Sequence, residues 1–420
     1  MNSRFKFVVV TTSSLLVILL LAGARYGRSA SPEDTYRHLA VYTEVLSRIK
    51  SDYVEEPDMK SVTLGAVNGL LESVDPYASY LNADQYKQYV KSKDQTKAGV
   101  GLLLSKRFGY VNIVSAIPGS PAANAGLTTG DVIETINGVA TRDMPLAFAQ
   151  ILMQGEPGST IELGILRLRK PEPSKVTLTR QKAAYPAVAA KLLPDGVGLI
   201  TVASLETDQV EQTAADVRDL EKQGAKRLIL DLRNCASGAP EQGIKLASLF
   251  LEKGLVTYTE GQKSPRQNFD VAGTPVEAKV PLVVLTNRGT ASGAEIAAAA
   301  LQDDKRAQVV GERTYGDASI RKAITMDDGA AVILSVAKYY SPGGKAIQDT
   351  GVVPAVTVAD ADAGPAEPDD DSTPPTLETP KPTEDLPLKK AIELLTKGGE
   401  VASSRTQAQP QGQSKVEQPQ

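Results

Sequence analysis

Val280-Pro281-Leu282-Val283-Val284-Leu285-Thr286-Asn287-Arg288-Gly289-Thr290-Ala291-Ser292-Gly293-Ala294-Glu295 is the stretch that decides the fold. Its first half is a short, unbroken apolar run, the pattern of a strand buried on both faces of a parallel sheet. Its second half turns at Gly289 and enters an alanine-rich segment, a strong helix former, that continues to Asp303. A strand feeding directly into a helix is the building unit of α/β sheets with crossover connections. The unit repeats upstream. Val197–Val202 reads as a strand followed by a helix from Thr207 to Lys222, and Leu228–Leu232 as a strand followed by a helix from Pro240 to Leu251. Ala331–Tyr340 reads as a further strand. Residues 184–359 are therefore expected to form an α/β core with a mixed sheet. Ser292 falls at the strand-to-helix junction, where unpaired N–H groups and the positive dipole end would stabilise an alkoxide or an oxyanion. Serine is also a common helix cap. Taken alone, the residue supports both readings.

Before the core the texture differs. Ser31-Pro32-Glu33-Asp34 has the form of a helix start, and Leu39, Tyr42, Val45, Leu46 and Ile49 recur at helical spacing. Further helices are expected over 62–74 and 84–91, so residues 31–95 read as a helical module that packs on the core. From about residue 96 to 183 short strands take over. Gly99-Val100-Gly101-Leu102 opens an apolar run. Ser120-Pro121-Ala122-Ala123-Asn124-Ala125-Gly126-Leu127 is a short capped helix, and Gly130-Asp131-Val132-Ile133 leads to a turn at Asn137-Gly138. These segments resemble a PDZ domain, a small β-sandwich or barrel-like fold. A glycine-led edge strand can offer backbone N–H groups to a peptide carboxylate and pair with the peptide chain. Gly99, Val100, Gly101 and Leu102 are accordingly the expected peptide-binding residues. Glycines serving only a tight turn is the plainer alternative.

Arg4 and Lys6 precede an apolar run from Phe7 to Ala24, with Ala22-Gly23-Ala24 suited to signal peptidase. Residues 1–30 are expected to be a signal peptide or a signal anchor, and either places the body of the protein outside the cytoplasm, in the periplasm or on the outer side of the inner membrane. After Asp360 the chain turns Pro- and acid-rich, with Asp369-Asp370-Asp371. Residues 360–420 read as a largely disordered tail with one short helix near 386–397. With 420 residues, 41% hydrophobic and 23% charged, the composition is that of a globular multidomain chain, α+β in overall organisation. A net charge of -4 gives no reason to expect nucleic acid. One Cys and one His exclude a disulfide framework and a Cys/His zinc site, and no cofactor or metal is expected. The single histidine, His38, lies on a helical stretch and reads as a solvated residue.

From Asp34 to Pro354 the chain resembles the carboxyl-terminal processing peptidases, the tail-specific serine proteases. The resemblance rests on Asp75-Pro76-Tyr77-Ala78-Ser79-Tyr80-Leu81, the PDZ unit, Leu228-Ile229-Leu230-Asp231-Leu232-Arg233, and Thr290-Ala291-Ser292 with Glu295. Gln302-Asp303, Val310-Gly311-Glu312, Tyr339-Tyr340-Ser341-Pro342-Gly343-Gly344 and Ile347-Gln348 follow in family order. The resemblance implies a serine nucleophile at Ser292 and a buried neutral lysine as its base, since desolvation lowers a lysine pKa. It also implies a glutamine that positions the lysine. In this chain the base position holds Asp317, within Tyr315-Gly316-Asp317-Ala318, and the glutamine position holds Arg321. By the same resemblance, the oxyanion-side groups are Gly293 and the loop Asn234, Cys235, Ala236, Ser237 and Gly238, which is poorer in glycine than the family's. Cys235, with no histidine partner, reads as a small residue filling a turn.

Asp317 has an ordinary pKa of about 3.9; burial would raise it by a few units, and Arg321 four residues on, expected to form an ion pair with it, would pull it back down. The first functional reading is an exported, catalytically degenerate member that binds protein C-termini or apolar-tailed peptides, with an active relative as a further candidate partner. The second is an active serine endopeptidase with another base, Lys322 being the nearest candidate. A purely structural envelope protein has no positive support.

Overall fold

The computed structural model describes residues 32–93, 98–142, 144–167, 170–182, 184–206, 208–273, 280–359 and 384–405. The apolar run expected to direct export, the segment 360–383 and the residues after 405 lie outside them. Among the described residues no helix is long and apolar enough to cross a membrane.

The chain divides into two compact units between Ala66 and Val67. The first contains α1 (Pro32–Asp52), which carries His38, and the start of α2 (Met59–Glu72). Asp58 caps α2 by accepting from the Lys60 N–H at 3.0 Å and the Ser61 hydroxyl at 2.6 Å. The second unit begins with the rest of α2 and includes everything that follows, so residues 67–93 fold with the domains expected downstream. It continues through β1 (Ser79–Leu81) and α3 (Ala83–Lys93) into a strand-rich domain. That domain holds β2 (Leu102–Arg107), β3 (Tyr110–Ala116), α4 (Pro121–Asn124), β4 (Val132–Ile136), β5 (Val139–Ala140), α5 (Leu146–Met153), β6 (Thr160–Arg167) and β7 (Lys170–Thr179). Its sheet runs β2-β3-β4-β6-β7, with β5 beside β4, so β2 is an edge strand paired only with β3. Arg180 secures the end of α5, donating to the Leu152 and Met153 carbonyls at 2.8 and 3.1 Å, where the last helical carbonyls lack partners.

The core follows as β8 (Ala189–Leu193), β9 (Val197–Thr201), α6 (Gln209–Lys222), β10 (Arg227–Asp231), α7 (Pro240–Ser248), β11 (Leu255–Gly261), β12 (Ser264–Asp270), β13 (Leu282–Thr286), α8 (Gly293–Asp303), β14 (Ala307–Gly311), β15 (Ser319–Thr325), β16 (Ala331–Tyr340) and β17 (Val356–Thr357). One sheet, β17-β14-β13-β10-β9-β8, is parallel except at β8, and a second, antiparallel sheet places β1, β15 and β11 on β16, with β12 on β11. The first of these is the expected mixed sheet, and the core holds the antiparallel one in addition. The unbroken apolar runs have their reason in the packing. Leu228 and Leu230 of β10 join the cluster under α7 and α8, while Ile229 faces the other way. That second face is closed by α9 (Leu386–Arg405), through Ala391, Ile392 and Leu395. The helix expected near 386–397 thus exists, is longer than expected, and is part of the core.

Candidate active site

Strand β13 ends at Thr286, and the turn beyond it is pinned by side chains. The Asn287 side-chain Oδ1 accepts from the N–H groups of Gly289 and Asn234 at 3.0 and 2.9 Å, and its Nδ2 donates to Asn234 Oδ1 at 3.1 Å. The Thr290 hydroxyl donates to the Leu232 carbonyl at 2.8 Å, and the Ala291 N–H to the Cys235 carbonyl at 3.0 Å. The nucleophile turn and the loop after β10 are therefore one hydrogen-bonded body. Behind them α7 and α8 meet at glycines. A Cβ at Gly243 would fall within the Gly293 carbonyl, so this approach requires glycine.

Ser292 has φ 55° and ψ −124°, a left-handed φ that a plain serine cap, extended in backbone, does not adopt. Such a conformation costs about 1–3 kcal/mol in a non-glycine residue and persists only where its surroundings impose it. The Ser292 N–H donates to Glu295 Oε2 at 3.1 Å, and its hydroxyl donates to the Gly238 carbonyl at 3.4 Å. Among the described residues no acid, amine or imidazole is hydrogen-bonded to that hydroxyl.

Glu295 is fully buried and organises the site. It also accepts from the Gly316 and Asp317 N–H groups at 2.7 and 2.8 Å and from the Thr314 hydroxyl. Burial pushes its pKa up to about 7, although all these hydrogen bonds oppose the shift. Asp317 is thereby held by its backbone close to the turn that carries Ser292. Its carboxylate pairs with Arg321, as expected. Of the two opposing effects on its pKa, burial, which pushes it up, outweighs the attraction of Arg321. The Arg321 guanidinium stands 4.0 Å from the centroid of the Tyr77 ring. Lys322 is exposed on β15, on the face opposite Arg321, so it does not supply the missing amine.

In the loop Asn234-Cys235-Ala236-Ser237-Gly238, only Asn234 (φ 58°) and Gly238 (φ 115°) adopt left-handed φ. A Cβ at Gly238 would strike the Leu205 carbonyl. The one position that demands glycine has kept it, so the poorer glycine content does not distort the loop. The Gly238 N–H donates to the Glu206 carboxylate, whose pKa burial pushes up. Cys235 is buried, and burial raises its thiol pKa, which suits an inert filler. Among the described residues no cluster of three or more His, Cys, Asp or Glu side chains could hold a metal.

The strand-rich domain rests directly on this loop. Leu103 and Val114 pack with Ala236 and Ala291, and the Ser115 hydroxyl donates to the Asn234 carbonyl at 3.3 Å. Of the four expected peptide-binding residues, Gly99 is withdrawn, because its N–H donates to the Gln181 carbonyl at 2.9 Å in a bridge that ties down the domain's end. Val100 is buried, Gly101 makes the turn with φ 77°, and Leu102 begins β2.

A family model described as Peptidase family S41 matches residues 196–358, and one for the PDZ domain matches 113–167. A carboxy-terminal-processing protease of Bartonella bacilliformis is 31% identical over 331 residues, covering 78% of this chain and 76% of that protein. The chain belongs to the carboxyl-terminal processing proteases. Another member, from a Picosynechococcus species, is 32% identical over 345 residues, covering 80% of this chain and 81% of its own. The solved structure of a photosystem II D1 C-terminal processing protease superposes with a TM-score of 0.63 at 27% identity, over 76% of this chain and 92% of that one. The PDZ match makes the strand-rich domain a PDZ domain, and Ser292 is the residue that the family resemblance puts at the nucleophile position. Two participants in the carboxyl-terminal processing protease site escaped the sequence reading. Glu206 stands just ahead of the helix read from Thr207 to Lys222, where no pattern singles it out. Tyr77 lies 244 positions from the arginine it stacks on, too far for any local pattern to connect them.

Proposed function

We propose that this chain is an exported carboxyl-terminal processing protease that binds protein C-termini through its PDZ domain without cleaving them. The observation that carries this reading is the Asp317–Arg321 ion pair. A lysine base must be a neutral amine able to take the serine proton. Here the position holds a carboxylate whose hydrogen-bonding capacity is committed to a guanidinium. The engagement of the Gly238 N–H by Glu206 points the same way. For binding, the support is the edge position of β2 beside the Gly101 turn, which suits strand addition by a peptide ending in an apolar residue. For export, the support is the charged start and apolar run of residues 4–24.

Calorimetry of the full chain with peptides bearing a free apolar C-terminal residue tests both halves. Binding is expected to weaken at least about tenfold on amidation of the peptide C-terminus, with the peptide recovered intact by mass spectrometry. Equal affinity after amidation would refute carboxylate capture, and shortened peptide would refute silence. A second reading, an active endopeptidase with another base, is favoured by the retained strain at Ser292, which a mere cap does not need.

A further inference from the structure

The substituted pair grips an aromatic ring that belongs to a different part of the molecule. Tyr77 is 5% exposed and packs within the PDZ hydrophobic core, alongside Val100, Leu104 and Leu146. Its ring meets Tyr315 edge-on at 6.5 Å, and the Tyr315 hydroxyl is hydrogen-bonded to Ser105 on the PDZ edge strand β2. The backbone around Tyr77 is fixed at both ends. Asp75 accepts from the Tyr77 N–H at 2.9 Å and from the Ser335 N–H on β16 at 3.2 Å, and the Ser79 hydroxyl accepts from the Ala147 N–H on α5 at 3.2 Å. The Arg321 Nε is buried without a hydrogen-bond partner among the described residues. Its guanidinium is therefore placed by Asp317 and by the Tyr77 ring, not by a full set of acceptors.

We propose that Asp317 and Arg321 form a latch: the arginine, fixed by the aspartate, clamps the Tyr77 ring and through Tyr77 and Tyr315 holds the PDZ domain down on the Ser292 and Asn234–Gly238 loops. This rests on reading the pair as non-catalytic. A glutamine at 321 has no charge to attract the ring, and a lysine, a compact strongly hydrated cation, cannot lay a planar face on it. The substitutions that take away the base thereby add a tether between the two domains.

The test is a distance distribution on the full chain, with spin labels at Val139→Cys in the PDZ domain and Lys253→Cys in the core. Both positions are exposed, and the native Cys235 is buried. The parent should give one narrow distance. Arg321→Gln should add a longer-distance population, a roughly tenfold rise in the undocked fraction for the loss of a desolvated cation–ring contact. Tyr77→Phe keeps the ring and should leave the distribution unchanged, and its narrow distance also shows that the core tolerates substitution here. A single narrow distance in Arg321→Gln would overturn the latch, as would equal broadening in Tyr77→Phe. No step of this measurement involves cleavage. Turnover by the parent chain would therefore refute the silent reading while leaving the distances to judge the latch by themselves.

Discussion

Ser292 and Asp317 are tied to one carboxylate, Glu295, and their behaviour follows from it. Glu295 has a folded pKa of about 7 against an ordinary 4.5, so the folded chain holds a proton that the unfolded chain has released. Stability from this group is therefore fully present below about pH 4.5 and declines as the pH rises through 7. The full decline is about 3 kcal/mol. Urea unfolding at pH 4.5 and 7.5 should show the parent losing that much more than Glu295→Gln; parallel losses in the two proteins would contradict it. The base position makes its own prediction. Asp317→Lys alone should give no labelling by a fluorophosphonate, because the new amine would face Arg321 at close range. Asp317→Lys with Arg321→Gln should remain slow while Glu206 occupies the Gly238 N–H. Adding Glu206→Ala should raise the labelling rate on the order of a hundredfold, the scale of one oxyanion donor. Equal rates with and without Glu206 would show that the donor was never blocked.

At the scale of elements, α9 is the piece that the sequence undersells. A buried Leu→Ala change costs about 2–5 kcal/mol, so Leu395→Ala should lower the core's unfolding free energy by that order. A change below about 0.5 kcal/mol would mean that the helix is not seated on the sheet. Asp385, just ahead of that helix, reaches the root of the Asn234–Gly238 loop: Arg233 bonds both Asp231, at 2.7 and 2.9 Å, and Asp385, at 2.8 and 2.9 Å. Strands β9, β10 and β13 and helices α6 to α8 were legible because their apolar runs and helix signals are local. The short edge strands β1, β8 and β17 were not, since two to five residues carry no period and owe their pairing to strands far along the chain. The second sheet was not anticipated because its strands pair across long stretches of chain, Tyr258 with Tyr340 and Ser79 with Ile333. Ser292 was legible through its neighbours, whereas its φ of 55° is imposed by Asn287, Thr290 and Gly238 and leaves no trace in the residue itself.

Over the whole molecule, the proposed loss of the base alters more than the chemistry at a serine. The Asp317–Arg321 ion pair spans from β15 to Tyr77, and Tyr77 belongs to the PDZ core. On the proposed latch, the PDZ domain, the Asp75–Leu81 segment and the Ser292 loop behave as one packed body, which would keep a peptide held at β2 near Ser292. The most direct measurement of this account is fluorophosphonate labelling of the full chain and of Ser292→Ala, followed by intact mass and by peptide cleavage. The expected result is identical mass and intact peptide in both. A covalent adduct and cleaved peptide in the parent, both lost in Ser292→Ala, would contradict it.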